Sequence, residues 1–252
     1  MKIGIFDSGV GGLTVYKIVK KHFPNCDYVY FADTAHLPYG EKSKKTIISY
    51  TKKILSFLLK KKCDVIICAC NTASSVAVPS LRKTCPVPLY DVITPVVKKV
   101  KNSEKIAIIG TKLTIKSNAY TKRIKKLNPK ARILAVPTPL FVPLIEEGWT
   151  KTEVLKKIIQ IYLKKIKKYN PDILILGCTH YPVIRNQIQN FLGKKTKLIG
   201  SEAIADELKL NSLKKKGKTV FFASDDPKHF EKIAKKIFNV KTGKVKLCTE
   251  FL

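Results

Sequence analysis

Short apolar segments alternate with amphipathic helical segments along these 252 residues, and this alternation constrains the fold more than any other feature. The predicted strands are 2–7, 28–33, 64–69, 88–92, 105–110, 132–136, 172–177, 196–200 and 219–223. Helices are predicted near 12–22, 42–62, 73–84, 94–101, 114–127, 152–168, 183–191, 202–209 and 227–238. Strands without polar alternation are typical of a parallel sheet covered by helices on both faces. The predicted class is therefore α/β.

The two halves of the chain contain similar segments in the same order. KIGIFDS at 2–8 resembles KIAIIGT at 105–111, and DVIICAC at 64–70 resembles DILILGC at 172–178. The offsets within the two pairs are 103 and 108 residues. Matched strands at matched spacing predict two similar, pseudo-symmetric domains, each a mainly parallel sheet flanked by helices.

The second domain is predicted to begin near residue 97. The first domain then covers 1–96 and the second covers 97–209. The last strand and helix, at 219–238, fit either domain, and we assign the segment from about 210 to 252 to the first.

Cys70 and Cys178 follow the matched strands directly, and polar residues follow each of them. Ligands of open α/β sheets bind outside the carboxyl ends of the strands. Two domains that face each other would place these thiols on opposite walls of one cleft, with the active site between them. We expect the strand-tip position to expose both thiols, in contrast to Cys63 and Cys68.

The residues beside the two cysteines suit a chemical role. CNTASS at 70–75 reads as the start of a helix, where free N–H groups and the helix dipole favour a thiolate on Cys70. Asn71 and Thr72 add neutral donors that suit a carboxylate. His180 lies two residues after Cys178, where it either tunes the thiol and moves protons or makes a structural hydrogen bond.

A glycine-containing turn follows the first strand in DSGVGGLTV at 7–15. Its spacing fits neither G-x-G-x-x-G nor a P-loop, so a nucleotide site is not supported. The turn presents Asp7 and Ser8 at the strand tip. Asp7 is a candidate acid/base partner or ammonium ligand, and the alternative is that either residue only caps the next helix.

Two thiols on opposite walls suit reversible proton transfer at a stereocentre. A proton removed from one face and returned to the other inverts the centre, and a thiol can serve as either base or acid near neutral pH. The carbanionic transition state needs preorganised donors around the substrate carboxylate. Candidates for these donors are Ser8, Asn71, Thr72 and Thr179.

Charge and cysteine composition argue against several other classes of protein. The formal net charge is +31, but 24 of the 49 Lys and Arg lie in residues 1–126, so the sequence predicts an evenly basic surface and no specific nucleic-acid site. The seven cysteines form no C-x-x-C pair, which disfavours zinc, disulfides and thiol redox chemistry. No apolar run approaches the roughly 20 residues needed to span a membrane, and the first strand leaves no room for a signal peptide. We expect a cytoplasmic protein.

Five segments together resemble the cofactor-independent glutamate racemases of the aspartate/glutamate racemase superfamily. They occur in the family's order over about 180 residues, and they are IGIFDSGVGGLTV (3–15), FADTAHLPYGEKS (31–43), CNTASS (70–75), FVPLIEEGW (141–149) and LGCTHYP (176–182). The resemblance implies a cleft for L- and D-glutamate, no pyridoxal phosphate or metal, a homodimer, and D-glutamate supply for peptidoglycan.

The resemblance also implies roles for individual residues. Cys70 would work on the D-enantiomer and Cys178 on the L-enantiomer, assisted by Asp7 and His180 respectively. Glu146 is favoured over Glu147 as a further catalytic residue. The substrate would be lined by Asp7, Ser8, Tyr39, Gly40, Asn71, Thr72, Thr179 and His180.

The chain departs from the family's usual GDTARxPYG pattern at Ala32 and His36. Tyr39 and Gly40 are retained, so the departure bears on a surface or interface contact of the usual arginine. Three alternatives stay open at this point: an aspartate or other amino-acid racemase, a basic nucleic-acid-binding or regulatory protein that retains the fold, and a thiol redox protein.

Overall fold

The computed structural model describes residues 1–208 and 217–251. Its strands are β1 Lys2–Asp7, β2 Asp27–Ala32, β3 Val65–Cys68, β4 Leu89–Asp91, β5 Lys105–Gly110, β6 Arg132–Pro137, β7 Ile173–Gly177, β8 Lys197–Ile199, β9 Thr219–Ala223 and β10 Lys246–Leu247. Its α-helices are α1 Leu13–His22, α2 Lys44–Lys60, α3 Asn71–Val76, α4 Val78–Leu81, α5 Ile93–Lys99, α6 Lys112–Lys116, α7 Ala119–Leu127, α8 Phe141–Glu146, α9 Glu153–Tyr169, α10 Arg185–Leu192 and α11 Pro227–Lys236. The 3₁₀ helices are Thr34–His36, Tyr39–Glu41, Tyr181–Ile184, Ser201–Asp206 and Thr249–Phe251.

The strands form two parallel sheets, which confirms the α/β class. One sheet has the order β10-β9-β2-β1-β3-β4 and the other has the order β6-β5-β7-β8. Strand β9 pairs with β2 and so lies in the first sheet, although it follows the second along the chain. Strand β1 pairs with β3 in the first sheet, and the matching strand β5 pairs with β7 in the second. The domain limit near residue 210 lies outside the described residues, and the division of the chain stays a prediction.

Both sheets are covered on both faces, as their apolar strands predict. Alternate residues of β1 face opposite clusters, Ile3 and Ile5 on one side and Phe6 on the other. In the second sheet, Ile109 and Ile108 face opposite clusters in the same way. None of the helices in the described ranges has the length and apolarity needed to cross a bilayer.

Several predicted helices differ in detail from the observed ones. The segment 114–127 contains two helices, because Asn118 adopts a left-handed conformation with φ of 55°. The segment 73–84 is divided into α3 and α4, with Pro79 in the first turn of α4. The segment predicted at 202–209 is a 3₁₀ helix over Ser201–Asp206, and residue 209 lies outside the described residues. Helix α8 and strand β10 were not predicted, because six and two residues are too few to show a period.

Close approach of β5 and β7 requires glycine at position 177, directly before Cys178. A Cβ atom there would lie 2.6 Å from the Ile109 carbonyl oxygen. This backbone oxygen cannot move away as a flexible side chain would. The glycine therefore sets the spacing of the two strands that end at the second wall of the cleft.

We expect Gly177→Ala to destabilise the protein by about 1–3 kcal/mol, the usual cost of overpacking a well-packed interior. The midpoint of thermal or urea unfolding measures this loss. Gly9→Ala is the matched control, since its Cβ would lie 3.4 Å from a Leu37 side-chain carbon, an ordinary contact. Equal midpoints for the two variants would contradict the argument from strand spacing.

Candidate active site

A cavity of about 540 Å³ lies between the carboxyl ends of the two sheets. Ser8 follows β1 and Cys70 follows β3, while Thr111 follows β5 and Cys178 follows β7. Each sheet therefore contributes the residues after two neighbouring strands. The cavity is also lined by the predicted substrate residues Tyr39, Gly40, Asn71, Thr72, Thr179 and His180.

Asp7 lies immediately behind this lining and is 1% exposed. Its Oδ1 accepts a hydrogen bond of 3.0 Å from the Gly9 N–H, and its Oδ2 accepts one of 3.4 Å from the Thr179 hydroxyl. Burial raises the pKa of this carboxyl, although the positive charge of His180 and the hydrogen bonds act in the opposite direction. Asp7 thus joins the two walls at the back of the cavity.

The glycines after β1 allow close packing at this point. A Cβ at Gly11 would lie 2.4 Å from Nδ1 of His180, and a Cβ at Gly12 would lie 2.5 Å from the Cβ of Asp7. The turn therefore fits against two predicted site residues. This packing accounts for a glycine spacing that matches no phosphate-binding motif.

Cys70 is the N-cap residue of α3. Its Sγ accepts a hydrogen bond of 3.5 Å from the Ala73 N–H, and its thiol donates one of 3.8 Å to the Ser8 hydroxyl. The Ala73 N–H favours a thiolate on Cys70, as the helix start predicts, but other effects are larger. Burial, followed by the negative charge of Asp7, raises the pKa of Cys70 to about 12, which outweighs the Ala73 hydrogen bond.

Cys178, His180 and Glu146 form a connected row on the opposite wall. The Sγ of Cys178 is 3.8 Å from Nδ1 of His180, and Nε2 of His180 is 2.8 Å from Oε1 of Glu146. Burial alone would lower the pKa of His180, but the hydrogen bonds to Cys178 and Glu146 raise it to about 10. Burial would raise the pKa of Glu146, and the His180 hydrogen bond outweighs this and lowers it. Of the two adjacent glutamates that border the cavity, Glu146 is thus the one bonded to His180.

The expected exposure of the two thiols is not observed. Cys70 is 5% and Cys178 7% exposed, compared with 3% for Cys63 and 0% for Cys68. The strand tips are covered because the two walls face each other. What separates the pairs is that Cys70 and Cys178 line the cavity, whereas Cys63 and Cys68 are not among its lining residues.

Buried Asp33, which sequence reasoning missed, holds the loop that carries Tyr39 and Gly40. Its carboxylate accepts hydrogen bonds from the Tyr39 hydroxyl at 2.5 Å and the Ser224 hydroxyl at 2.9 Å, and it lies 2.7 Å from Nδ1 of His36. The Tyr39 hydroxyl is therefore used within the loop. His36, where the family usually has arginine, also stacks on Tyr50 with ring centroids 3.9 Å apart.

Asn71 and Thr72 are held by polar residues from the helices and turns that surround the second sheet. The Asn71 side chain accepts a hydrogen bond from the Tyr120 hydroxyl at 2.6 Å and donates one to Ser201 at 3.1 Å. The Thr72 hydroxyl is 3.0 Å from that of Thr111. Thr111 and the adjacent Lys112 also line the cavity and were missed, since no cysteine or histidine marks the end of β5.

The chain matches the sequence profile of the Asp/Glu/Hydantoin racemase family over residues 14–207. It is 43% identical to the glutamate racemase of Sulfurihydrogenibium sp., over 98% of each chain. It is 46% identical to the glutamate racemase of Aquifex aeolicus, over 83% of this chain and 82% of that one. The crystal structure of the Francisella tularensis glutamate racemase in complex with D-glutamate superposes with a TM-score of 0.92, at 35% identity over 98% of this chain and 97% of that one.

We expect His180 to remain protonated through neutral pH and to titrate near pH 10, because Cys178 and Glu146 offset its burial. Glu146→Gln removes the carboxylate and should lower this pKa, as measured by NMR of ¹⁵N-labelled histidine. The stability contributed by the charged ring is present below the unfolded pKa of about 6.5 and is lost as pH rises through about 10. Glu147→Gln is the matched control, and equal pKa shifts in the two variants would contradict the assignment to Glu146.

Proposed function

The chain belongs to the Asp/Glu/hydantoin racemase family, and we propose that it interconverts L- and D-glutamate by proton transfer at Cα, without pyridoxal phosphate or a metal. The observation that carries the proposal is the pair of cysteines at matched strand ends, both of which border one cavity. Its curated relatives named above are glutamate racemases. This favours glutamate over aspartate as the substrate.

In the proposed mechanism, the substrate Cα lies between the two sulfur atoms. In the L-to-D direction, Cys178 as thiolate removes the Cα proton, and the Cys70 thiol donates a proton to the opposite face. In the D-to-L direction the two sulfurs exchange these roles. Each turnover leaves the proton on the other sulfur, so a transfer to and from neighbouring groups must restore the starting state.

The L-to-D direction needs a thiol on one wall and a thiolate on the other, and the surroundings of the two cysteines differ accordingly. The raised pKa of Cys70 keeps it a thiol, which is the state of an acid. On the other wall, His180 places positive charge 3.8 Å from the sulfur on which negative charge forms when Cys178 acts as base. In the D-to-L direction, a substrate ammonium beside Asp7 would offset the charge that raises the pKa of Cys70.

Neutral donors around the cavity suit the substrate carboxylate and the carbanionic transition state. The hydroxyls of Ser8, Thr72 and Thr179 are in place, and Thr111 adds a fourth. Their hydrogen bonds to Cys70, Asp7 and one another hold these groups before the substrate arrives. Such preorganisation costs no reorganisation when charge develops.

The wider role that we propose follows from the family resemblance. D-glutamate made by this chain would supply peptidoglycan synthesis in the cytoplasm, and the protein would act as a homodimer. Sedimentation analysis of the purified protein tests the dimer.

Incubation with L-glutamate in D₂O, with EDTA and no added cofactor, tests the function. We expect optical rotation to decay to zero and deuterium to enter Cα, because the proton returned to the product comes from a thiol that exchanges with solvent. Aspartate serves as the comparison substrate. Faster racemisation of aspartate, or a loss of activity in EDTA that zinc restores, would contradict the proposal.

Replacing either cysteine should strongly impair racemisation but leave one half-reaction. Cys70→Ser and Cys178→Ser should each lower racemisation by orders of magnitude, because serine is a much poorer base than a thiolate. Elimination of HCl from a β-chloroglutamate needs a base on one face only. Cys178→Ser should therefore still process the D-form and Cys70→Ser the L-form. The release of chloride measures both reactions.

The double variant should process neither enantiomer. Cys63→Ser is the matched control, because Cys63 is a buried thiol that is not among the cavity-lining residues. If each single variant handled both enantiomers equally, or if Cys63→Ser impaired racemisation as strongly, the two-base mechanism would be refuted.

A further inference from the structure

Charged side chains of the cavity wall are mostly acidic. Glu41, Glu146 and Glu147 line it, while Lys112 is the only lysine or arginine among the lining residues that the structure describes. The other cationic group, His180, is already paired with Glu146. An acidic amino acid has a side-chain carboxylate in addition to its α-carboxylate. Lys112 is the cation of the cavity wall that remains to bind it.

Lys112 lies where the two walls meet. It is the first residue of α6, and its Nζ is 3.2 Å from Oε2 of Glu41, which ends a 3₁₀ helix on the side of the first sheet. The preceding residues, Gly40 and Thr111, also lie close together, since a Cβ added at Gly40 would lie 2.7 Å from the Cβ of Thr111. The ion pair therefore spans the cleft beside two residues of the cavity wall.

The Lys112–Glu41 pair is exposed, at 58% and 48% of the two side chains. Solvent screens such a pair, so exchanging one carboxylate partner for another costs little. A substrate carboxylate held deeper between the walls would be screened less than Glu41 is. Lys112 thus has a weakly held partner and a long, flexible side chain that reaches the cavity.

We propose that Lys112 is a specificity-determining residue, which exchanges Glu41 for the side-chain carboxylate of an acidic amino acid. The inference rests on the proposed racemase function and adds the group that selects a dicarboxylic substrate. Hydroxyl and amide donors bind a carboxylate and a neutral amide alike, whereas an ammonium favours the carboxylate. Lys112 would therefore distinguish a side-chain carboxylate from a neutral amide.

The variant Lys112→Gln tests the proposal through racemisation of L-glutamate. We expect kcat/KM to fall about tenfold, mostly through KM, because a charge-assisted contact to the substrate is lost while the proton-transfer groups stay in place. Lys112→Arg should restore most of the loss. The dependence of kcat/KM on ionic strength should weaken in Lys112→Gln.

Lys116→Gln is the matched control, because Lys116 is exposed on the same helix and is not among the cavity-lining residues. It carries the same change in net charge and should leave kcat/KM within about twofold. Equal losses in the two lysine variants would overturn the proposal, because they would reflect only the overall field of a basic protein. An unchanged KM in Lys112→Gln would overturn it as well.

Glu41→Gln separates substrate binding from a purely structural ion pair. Our proposal predicts an equal or higher kcat/KM, because Lys112 is freed from its competing partner. A loss as large as that of Lys112→Gln would show that the ion pair matters only for holding the walls together, and would overturn the proposal. Failure of the parent protein to racemise glutamate would instead refute the proposed function, so the two failures are distinguishable.

Discussion

Parallel pairing sends the carboxyl ends of all strands in a sheet to the same edge, and the whole site depends on this constraint. The ends of β1 and β3 in the first sheet carry Asp7 and Cys70, and the end of β7 in the second carries Cys178 and His180. Because the two edges face each other, residues that are 108 positions apart border one cavity. A change in the spacing of β5 and β7 would displace Cys178 relative to Thr111, because these residues follow the two strands.

The two walls differ in charge although their strands match. On one wall, Cys70 lies near Asp7, and burial and this negative charge both raise its pKa. On the other, Cys178 lies beside a buried histidine that Glu146 helps to keep protonated. A buried charge needs a partner to remain charged, so the His180–Glu146 hydrogen bond holds this difference in place. In the proposed mechanism, matched backbones provide the geometry for inversion, and unmatched neighbours give the two faces different charged surroundings.

The parts of the fold that sequence reasoning predicted are those with a local signal. Most strand ends are within one residue of the observed ones, because apolar runs here end in glycine, cysteine or aspartate. Cys70, Cys178 and His180 follow such runs and were found as site candidates. Asp33 and Ser224 were missed, because their hydrogen bond joins residues 191 positions apart. The raised pKa of Cys70 was also missed, since a helix start is visible in sequence while burial between two walls is not.

The back of the cavity couples the two walls. Thr14 Oγ1 donates a hydrogen bond of 3.0 Å to the Thr179 carbonyl, Thr179 donates to Asp7, and Gly11 lies against the His180 ring. The positive charge of His180 opposes the rise that burial causes in the pKa of Asp7, while the negative charge of Asp7 contributes to the raised pKa of Cys70. Loss of the proton from His180 would therefore favour a protonated Asp7, which would in turn ease ionisation of Cys70. In the proposed mechanism, this contact would link the proton transfers on the two faces.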